Sequence, residues 1–538
     1  MVSPSPELEE RIKNTERLLT ADARFLPQAA AQYPEQFLSP KIYDKLIQIQ
    51  PWREPFPFYN KSKSKPDPDP STLMQAGALN TAGYDRVFVL CVDFSDKPAQ
   101  IPISLIYNRF FGTGKTLKTF FTENSYGKFV PEGNVFGWFR APMPSSYYTN
   151  DTYGYGKYPN NVQKLIEDAL DIAAMDESIN WSYFDSNNNE TIDYFFIVHA
   201  GDEASATANP DDFWALSWEI WPVVKNGYRF RKFCIGAEYI VHPLLPQKTG
   251  IDCHEAGHLF FGLPDLYDIS GISSGVGNFS LMGSGSWSDI AQTPVHLDAW
   301  SKMQLGWITA AKNILGLNSI RQAETNNTDF YIYTTPTPKE YFLIENRQQA
   351  GFDEFLPAKG LLIWKVNENQ RYNNNRACYL VGLVQADGKK DLELRINRGD
   401  PDDSFPGESN IRLFNSETNP NTALCDGSLA DTIISDISDS SALMSFRAGE
   451  RVHYSSISCT TVPEGAEIWL DGIYKKVKTP FVLDDVPVGG HILNFKRAGY
   501  QDCLLGVTVV ADKIIDASCR MTPTTGCEVP VLTLLVGG

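Results

Sequence analysis

The stretch Cys253-His254-Glu255-Ala256-Gly257-His258 is followed, after three residues, by Gly262-Leu263-Pro264-Asp265. His254 and His258 are four residues apart, so on a helix both imidazoles lie on one face and can bind one Zn²⁺. Glu255 is the candidate general base, which would take a proton from a zinc-bound water. The spacing therefore predicts a zinc site on a helix, of the kind found in metallopeptidases.

The ends of this helix are also marked in the sequence. Residues 249–250 are predicted to break the chain before the motif, and Asp252 is predicted to cap the helix. Gly262 and Pro264 are predicted to end it. Gly257 lies inside the predicted helix, where glycine costs about 1 kcal/mol relative to alanine. That cost indicates close packing beneath the metal.

A third ligand is expected, because a catalytic zinc usually takes three ligands from the protein and leaves one position for water. The chain turns at Gly262 and returns with Asp265, which we predict to be this ligand. Asp268 is the second choice, or it orients Asp265 or a histidine. The alternative is that both acids only cap a turn. Tyr267 lies between them and is expected near the zinc.

A known family carries the same pattern. His-Glu-x-x-His followed by Gly-x-Pro-Asp-x-Tyr-Asp resembles the immune inhibitor A family of secreted zinc metallopeptidases, which are zincins similar to metzincins. The resemblance implies hydrolysis of protein or peptide substrates. Segment 280–285 resembles the methionine turn of metzincins, with Met282 as the methionine. The resemblance extends over roughly residues 80–447.

The family resemblance implies an α+β zincin catalytic domain, with a mixed sheet and an active-site helix, followed by β-rich sandwich-like domains. The predicted organisation is an N-terminal propeptide-like segment and linker (1–75), the catalytic domain (76–310), a β-rich domain (311–450), a small β-sandwich (453–523) and a tail (524–538). The propeptide resemblance makes an inhibitory role for the first segment a hypothesis.

The fourth predicted part, residues 453–523, resembles a different family. Residues 463–466 spell Pro-Glu-Gly-Ala, and a strand over 467–470 followed by an Asp-Gly turn is predicted next. Together with the later glycine-rich turns, this segment is similar to PEGA domains. The resemblance implies an accessory module that contacts a cell surface or glycans.

One departure from the family pattern supports a different class of function. Three residues, Leu259, Phe260 and Phe261, separate the second histidine from the glycine, where family members usually have two. The shift motivates the alternative of a catalytically inactive zincin-fold binding or adhesion protein. The intact His-Glu-x-x-His argues against it, because a scaffold needs no general base. A third hypothesis, a calcium-stabilised structural protein, is the least favoured of the three.

A second metal site is a weaker hypothesis. Asp185, Asn187, Asn189 and Asp193 place oxygen-bearing side chains at alternate positions, which suits Ca²⁺. A complete EF-hand is excluded, because its sixth and twelfth positions hold the wrong residues. The alternative is an asparagine-rich turn that binds nothing.

Elsewhere, residues 161–174 are predicted to form an amphipathic helix and residues 86–94 a buried strand. His199 ends a predicted strand, and His296 precedes a predicted helix near the expected cleft. Either histidine would contact the substrate, or, as the alternative, is packed with one backbone hydrogen bond.

Net charge and hydropathy limit the partners and the location that this protein is expected to have. The net charge is −18 and the pI about 4.9, so nucleic acid is an unfavourable partner. The acidity suits a soluble, secreted or cell-surface protein. Residues 1–20 lack the apolar core of a secretory signal, and no stretch approaches the length of a membrane helix.

The nine cysteines show no Cys-x-x-Cys spacing, which disfavours a zinc ribbon. Cys91, Cys234 and Cys253 lie in apolar strings and are predicted to be buried thiols. Cys503 and Cys519 are predicted to be able to pair within one small domain.

Overall fold

The structure is a computed structural model that describes residues 85–240, 249–450, 454–510 and 513–524. The chain divides into two compact units, Met1–Gly449 and Glu450–Gly538. The predicted propeptide-like segment 1–75 lies outside the described residues, as does nearly all of the predicted tail. The predicted domain boundaries stay predictions.

A five-stranded sheet organises the first half of unit 1. Its strands are β1 (Arg86–Asp93), β2 (Glu132–Arg140), β3 (Phe195–His199), β4 (Leu216–Lys225) and β5 (Tyr228–Ala237). Their order is β2-β1-β3-β5-β4. The first four strands in this order run parallel, and β4 pairs antiparallel with β5 at one edge. The predicted mixed sheet is confirmed.

Helices cover both faces of this sheet, because interior strands such as β1 are apolar on both sides. Val87, Val89 and Cys91 join one hydrophobic core, and Phe88 and Leu90 join the other. The described helices are α1 (Ile103–Phe111), α2 (Leu117–Asn124), α3 (Ser145–Thr149), α4 (Val162–Ala173), α5 (Ala204–Thr207), α6 (Thr249–Phe261) and α7 (Ala299–Gln304).

Helix α4 matches its prediction closely. The Asn161 side chain caps its first turn by accepting a hydrogen bond from the Lys164 amide at 3.2 Å. Its apolar residues, including Leu165 and Ile166, pack into the same core as Phe88. Residues 161–174 therefore form the predicted amphipathic helix.

The second half of unit 1 is β-rich, as predicted. Its strands are β6 (Ala310–Lys312), β7 (Gly316–Arg321), β8 (Phe330–Thr334), β9 (Glu340–Arg347), β10 (Gly360–Asn367), β11 (Val381–Leu383), β12 (Thr432–Ser435) and β13 (Leu443–Glu450). They form two sheets, ordered β11-β10-β9-β8-β6 and β12-β13-β7. One hydrophobic core contains Leu281 of the first half together with Leu343 and Trp364 of the second, so the two halves are packed together.

The second unit is a small β-sandwich. Its strands are β14 (Tyr454–Val462), β15 (Glu467–Leu470), β16 (Ile473–Lys478), β17 (Phe481–Pro487), β18 (Gly489–Lys496), β19 (Cys503–Val509) and β20 (Ile515–Arg520). They form sheets ordered β17-β14-β20 and β16-β15-β18-β19 around one core. Asp471 and Gly472 both have positive φ, as the predicted tight hairpin turn requires.

The cysteines follow the predictions, with one addition. Cys91, Cys234 and Cys253 are buried thiols, and Cys503 pairs with Cys519. A second disulfide, Cys378–Cys425, was not predicted, because its cysteines are 47 residues apart and share no motif. Among the described residues, no helix is long and apolar enough to cross a membrane.

Candidate metal centre

Helix α6 and the loop after it bring three potential ligands to one point. Asp265 Oδ1 lies 3.1 Å from His254 Nε2 and 3.2 Å from His258 Nε2. Ligand atoms about 2.0–2.1 Å from a tetrahedral zinc stand roughly 3.3 Å apart, so this spacing fits the ion. Across the described ranges, no other set of three His, Cys, Asp or Glu residues has its ligand atoms within 4.8 Å of one another.

The backbone fixes which nitrogen of each imidazole faces the metal position. His254 Nδ1 lies 2.9 Å from the Leu281 carbonyl oxygen, and His258 Nδ1 lies 2.6 Å from the Leu263 carbonyl oxygen. A carbonyl oxygen can only accept, so each Nδ1 carries the proton and each Nε2 presents a lone pair. This tautomer is the one that a zinc ion requires.

Met282 lies directly beneath the helix. It is fully buried, and a Cβ added at Gly257 would approach its Sδ to 2.7 Å. The neighbouring Leu281 supplies the carbonyl that holds His254, and the Met282 carbonyl accepts from the Leu266 amide at 2.8 Å. The predicted close packing at Gly257 is therefore packing against Met282.

The predicted start of the helix was wrong. Residues 249 and 250 lie inside α6, where a Cβ on Gly250 would come within 2.0 Å of the Ser286 carbonyl oxygen. Asp252 does not cap the helix. It forms an ion pair of 2.9 Å with Arg109, and both side chains are almost completely buried. Gly250 is therefore explained by the close approach of the Ser286 backbone, and Asp252 by its pairing with Arg109. Neither residue marks the start of the helix.

The predicted end of the helix is confirmed. The additional residue between His258 and Gly262, relative to the family pattern, is accommodated at this end. The helix continues to Phe261, and Gly262 takes a left-handed φ of 66°. The Gly262 amide donates to the His258 carbonyl at 2.9 Å. Asp265 still reaches both histidines, so the shift that motivated the inactive alternative does not remove this carboxylate.

Asp268 does not lie with the ligands. Its carboxylate accepts hydrogen bonds from the backbone and hydroxyl groups of Ser270 and Ser273. The second-choice ligand role was therefore wrong, and capping of a turn is what this residue does.

Glu255 and Tyr267 lie close to the candidate metal ligands. Glu255 is fully buried. The ring of Tyr267 stacks on that of His254, with centroids 6.2 Å apart. Burial, and then the charges of Asp265 and Glu255, raise the pKa of Tyr267 well above its usual value. Tyr267 therefore lies beside the zinc site, as expected.

The sequence did not reveal Tyr155. Its hydroxyl oxygen is buried and has no hydrogen-bond partner among the described residues. Burial raises its pKa well above the usual value, and the carboxylates of Glu255, Glu203 and Asp265 raise it further. The phenol therefore lies within reach of their charges. It comes from a loop between α3 and α4 that carries no motif.

The two weaker histidines are packed residues. The Nδ1 of His199 lies 3.0 Å from the Ala200 carbonyl oxygen. His296 lies in a buried charged network, with its ring 2.8 Å from Glu123 Oε1 and 3.0 Å from Lys302 Nζ. Burial lowers the pKa of His296. Both histidines are therefore packed, but only His199 makes the expected backbone contact, whereas the ring of His296 contacts side chains.

The predicted calcium loop is held by its own hydrogen bonds. The Asp185 carboxylate accepts from the amides of Asn189 and Glu190, both at 2.9 Å. Asn187 donates to Asp193 Oδ2 at 3.0 Å. These contacts are those of an asparagine-rich turn, and calcium binding by this loop stays a prediction.

Two segments of the chain match known protein families, and part of the chain is similar to two curated proteins. Residues 104–308 match the immune inhibitor A peptidase M6 catalytic domain, and residues 454–525 match the PEGA domain. The "Pre-pro-metalloprotease PrtV" of Vibrio cholerae serotype O1 is 27% identical over 273 residues, which cover 41% of this chain and 29% of that protein. The "Immune inhibitor A" of Bacillus thuringiensis subsp. alesti is 30% identical over 202 residues, covering 32% of this chain and 29% of that protein.

The match spans less than a third of the length of these curated relatives. Helix α6, both histidines, Asp265 and Met282 lie within residues 104–308, the segment that matches the M6 catalytic domain. Over residues 104–308 the chain is therefore similar to the catalytic domain of the immune inhibitor A peptidase M6 family, and over residues 454–525 it is similar to the PEGA domain.

Proposed function

We propose that this protein is a zinc-dependent endopeptidase that hydrolyses peptide bonds of protein substrates. The arrangement of His254, His258 and Asp265 around one point, with Glu255 on the same helix, carries the proposal. A zinc ion held by these three residues would lower the pKa of a bound water toward about 7 and polarise the scissile carbonyl. Glu255 accepts the proton of the attacking water and passes it to the leaving amine.

The edge of the first sheet is suited to hold the substrate. Strand β4 is the last strand of the sheet, and α6 packs against both β4 and β5. An extended peptide can add to such an edge through main-chain hydrogen bonds. Trp221 on β4 is 68% exposed and offers an apolar contact for a substrate side chain. We propose that the substrate lies along β4, beside the metal.

Tyr155 is proposed to donate a hydrogen bond to the oxyanion that develops on the scissile carbonyl. Removing one such donor typically costs about 10²–10³-fold in kcat. We expect Tyr155→Phe to lower kcat by roughly 10²-fold with KM and zinc content unchanged. Tyr158→Phe is the control, because the Tyr158 hydroxyl is exposed and donates a hydrogen bond to Glu167 Oε2. An unchanged kcat in Tyr155→Phe would remove this role.

The protein is proposed to be secreted or displayed at a cell surface. Two disulfides, Cys378–Cys425 and Cys503–Cys519, favour an oxidising compartment. The Vibrio cholerae relative is a pre-pro-metalloprotease by name, which supports the hypothesis that residues 1–75 act as an inhibitory propeptide. Contact of the PEGA domain with a surface or glycan stays a proposal.

Metal content and proteolysis test the proposed function together. We expect mass spectrometry of chelator-free protein to find about one zinc per chain, and we expect phenanthroline to abolish cleavage of unfolded casein. Zinc without cleavage, both before and after removal of residues 1–75, would favour the inactive binding protein. Absence of zinc would contradict the proposal.

A further inference from the structure

The four-stranded sheet of unit 2 turns one face to the core of the sandwich and the other face away from it. Ile468, Leu493 and Phe495 lie in that core. Because side chains alternate along a strand, Trp469 and Asn494, their neighbours in the sequence, point to the opposite face. We call this face of the sheet β16-β15-β18-β19 the outer face.

A row of side chains crosses the outer face from one edge of the sheet to the other. Trp469 lies opposite Tyr474 on β16 and Asn494 on β18, and Asn494 lies opposite Leu504 on β19. The rings of Trp469 and Tyr474 stack, with centroids 5.3 Å apart and 27° between their planes. Leu504 is 66% exposed. The row therefore offers aromatic and aliphatic surface of the kind that packs against the C–H bonds of a sugar ring.

The middle of this row holds a hydrogen-bond donor and an acceptor that nothing satisfies. Trp469 Nε1 and Asn494 Oδ1 are both buried, and neither has a hydrogen-bond partner in the described part of the chain. Asn494 Nδ2, in contrast, donates to Asp502 Oδ2 at 3.2 Å. A buried polar atom without a partner is unfavourable. Hydroxyl groups both donate and accept, so a ligand rich in hydroxyls would satisfy the two atoms.

Lys496 lies over this part of the outer face. Its Nζ is 4.8 Å from the centroid of the Trp469 ring and 3.3 Å from Asp502 Oδ2. The side chains of this ion pair are 40% and 47% exposed, and such exposed pairs contribute little to stability. The lysine can therefore turn toward an anionic ligand and open the outer face to it.

Positive charge concentrates on strand β16, at the edge of this sheet. The strand carries three exposed lysines, Lys475, Lys476 and Lys478, and none of them forms an ion pair with another described residue. Glu467 lies opposite both Lys478 and Lys496, so the row beside the aromatic one has two lysines for one carboxylate. This edge therefore attracts anions, although the chain as a whole carries a net charge of −18.

We propose that the outer face binds an acidic polysaccharide, whose sugar rings carry carboxylate groups. The aromatic row contacts the sugar rings, Trp469 Nε1 and Asn494 Oδ1 bond their hydroxyls, and the lysines of β16 bind their carboxylates. A neutral glycan would leave the lysines without a partner, and a lipid surface would leave the indole and the amide without one. The inference names the partner for the glycan contact proposed above for this unit, and it does not depend on peptidase activity.

Titration calorimetry of the full chain with short oligosaccharides tests the proposal. We expect oligogalacturonate or oligoalginate to bind at low salt, and the affinity to fall as NaCl is raised. Methyl-esterified oligogalacturonate has the same backbone without the charges, and it should bind at least about tenfold more weakly than the free acid. Failure of both acidic sugars to bind, or equal affinity for the free acid and its ester, would overturn the proposal.

The lysines of β16 are tested by the double variant Lys475→Gln and Lys478→Gln. It should bind the acidic sugar about threefold to tenfold more weakly than wild type. The double variant Lys513→Gln and Arg520→Gln is the matched control, because it removes the same charge from exposed residues outside this sheet, and it should change the affinity less than about twofold. Lysines also protect edge strands against aggregation. If that were their only role, the β16 variant would bind like wild type, and the proposal would be wrong.

Trp469→Phe separates recognition of a sugar from general attraction of anions. The variant keeps an aromatic ring and removes the unsatisfied donor, so its unfolding temperature should not fall, whereas its affinity for the acidic sugar should fall about threefold to tenfold. A single-stranded oligonucleotide and phosphatidylglycerol vesicles serve as anions without sugar carboxylates. If either binds as tightly as oligogalacturonate, and Trp469→Phe binds the sugar like wild type, the outer face attracts anions in general and the proposal is overturned.

Discussion

Replacing Glu255 with glutamine is expected to lower peptide-bond cleavage by about 10²–10⁴-fold while zinc remains at the wild-type level. The amide cannot accept the proton of the attacking water, so the reaction loses its general base. The ligand atoms of His254, His258 and Asp265 are untouched by this change. Parallel measurement of kcat/KM and of zinc per chain checks both parts of the expectation.

Two comparisons make the result specific to Glu255. Glu177→Gln makes the same chemical change at an exposed residue just after helix α4, outside both the candidate metal centre and β4, and it should keep wild-type activity. Asp265→Asn should instead reduce zinc affinity, because it neutralises the only carboxylate of the ligand set. A wild-type rate in Glu255→Gln would show that another group is the base.

The parts of the site that sequence alone predicted are those set by local geometry. The spacing of His254 and His258 fixes one helical face, and Gly262 can adopt the left-handed conformation that ends the helix. The apolar run of β1 likewise predicts a strand buried on both faces. Short-range rules suffice for these features because the partners lie within a few residues of one another.

The parts that sequence did not predict depend on partners far along the chain. Asp252 follows the local rule for a helix cap, yet its partner is Arg109, 143 positions earlier in the sequence. Tyr155 lies within reach of the charges of Glu255 and Asp265, although its loop comes about 100 residues before Glu255 in the sequence. Neither arrangement can be recognised from the spacing of residues along the sequence, because only tertiary folding brings these side chains together.

The buried network around His296 is the clearest case, because it joins the two halves of unit 1. Arg347 on β9 donates to Asp353 through Nε at 2.6 Å and through Nη2 at 2.5 Å, and both residues are fully buried. Asp353 Oδ1 also accepts from the His296 amide at 2.9 Å. The backbone ahead of α7 is thereby held to the β-rich half by a hydrogen bond to a buried ion pair, in addition to the apolar contacts of the shared core.

Replacing Asp353 with asparagine is expected to lower the free energy of unfolding by about 3–5 kcal/mol, because it leaves a buried guanidinium without its main counter-charge. Glu345, at 3.3 Å from Arg347, compensates only in part. Urea unfolding followed by tryptophan fluorescence measures the change, since Trp300, Trp307 and Trp364 lie in the adjoining core. Asp329→Asn, which breaks a pair with Arg321, whose side chain is 57% exposed, should cost no more than about 1 kcal/mol.

The pH dependence of this difference tests its electrostatic origin. Although burial raises the pKa of Asp353, Arg347 and then His296 hold it far below its usual value of 3.8. A carboxylate with a lowered pKa contributes its full stability above the pKa of the unfolded chain and loses it as the pH falls toward the lower folded value. The gap between wild type and Asp353→Asn should therefore be constant near neutral pH and should shrink below about pH 4. A gap that persists unchanged in acid would mean that the asparagine disturbs packing instead of charge.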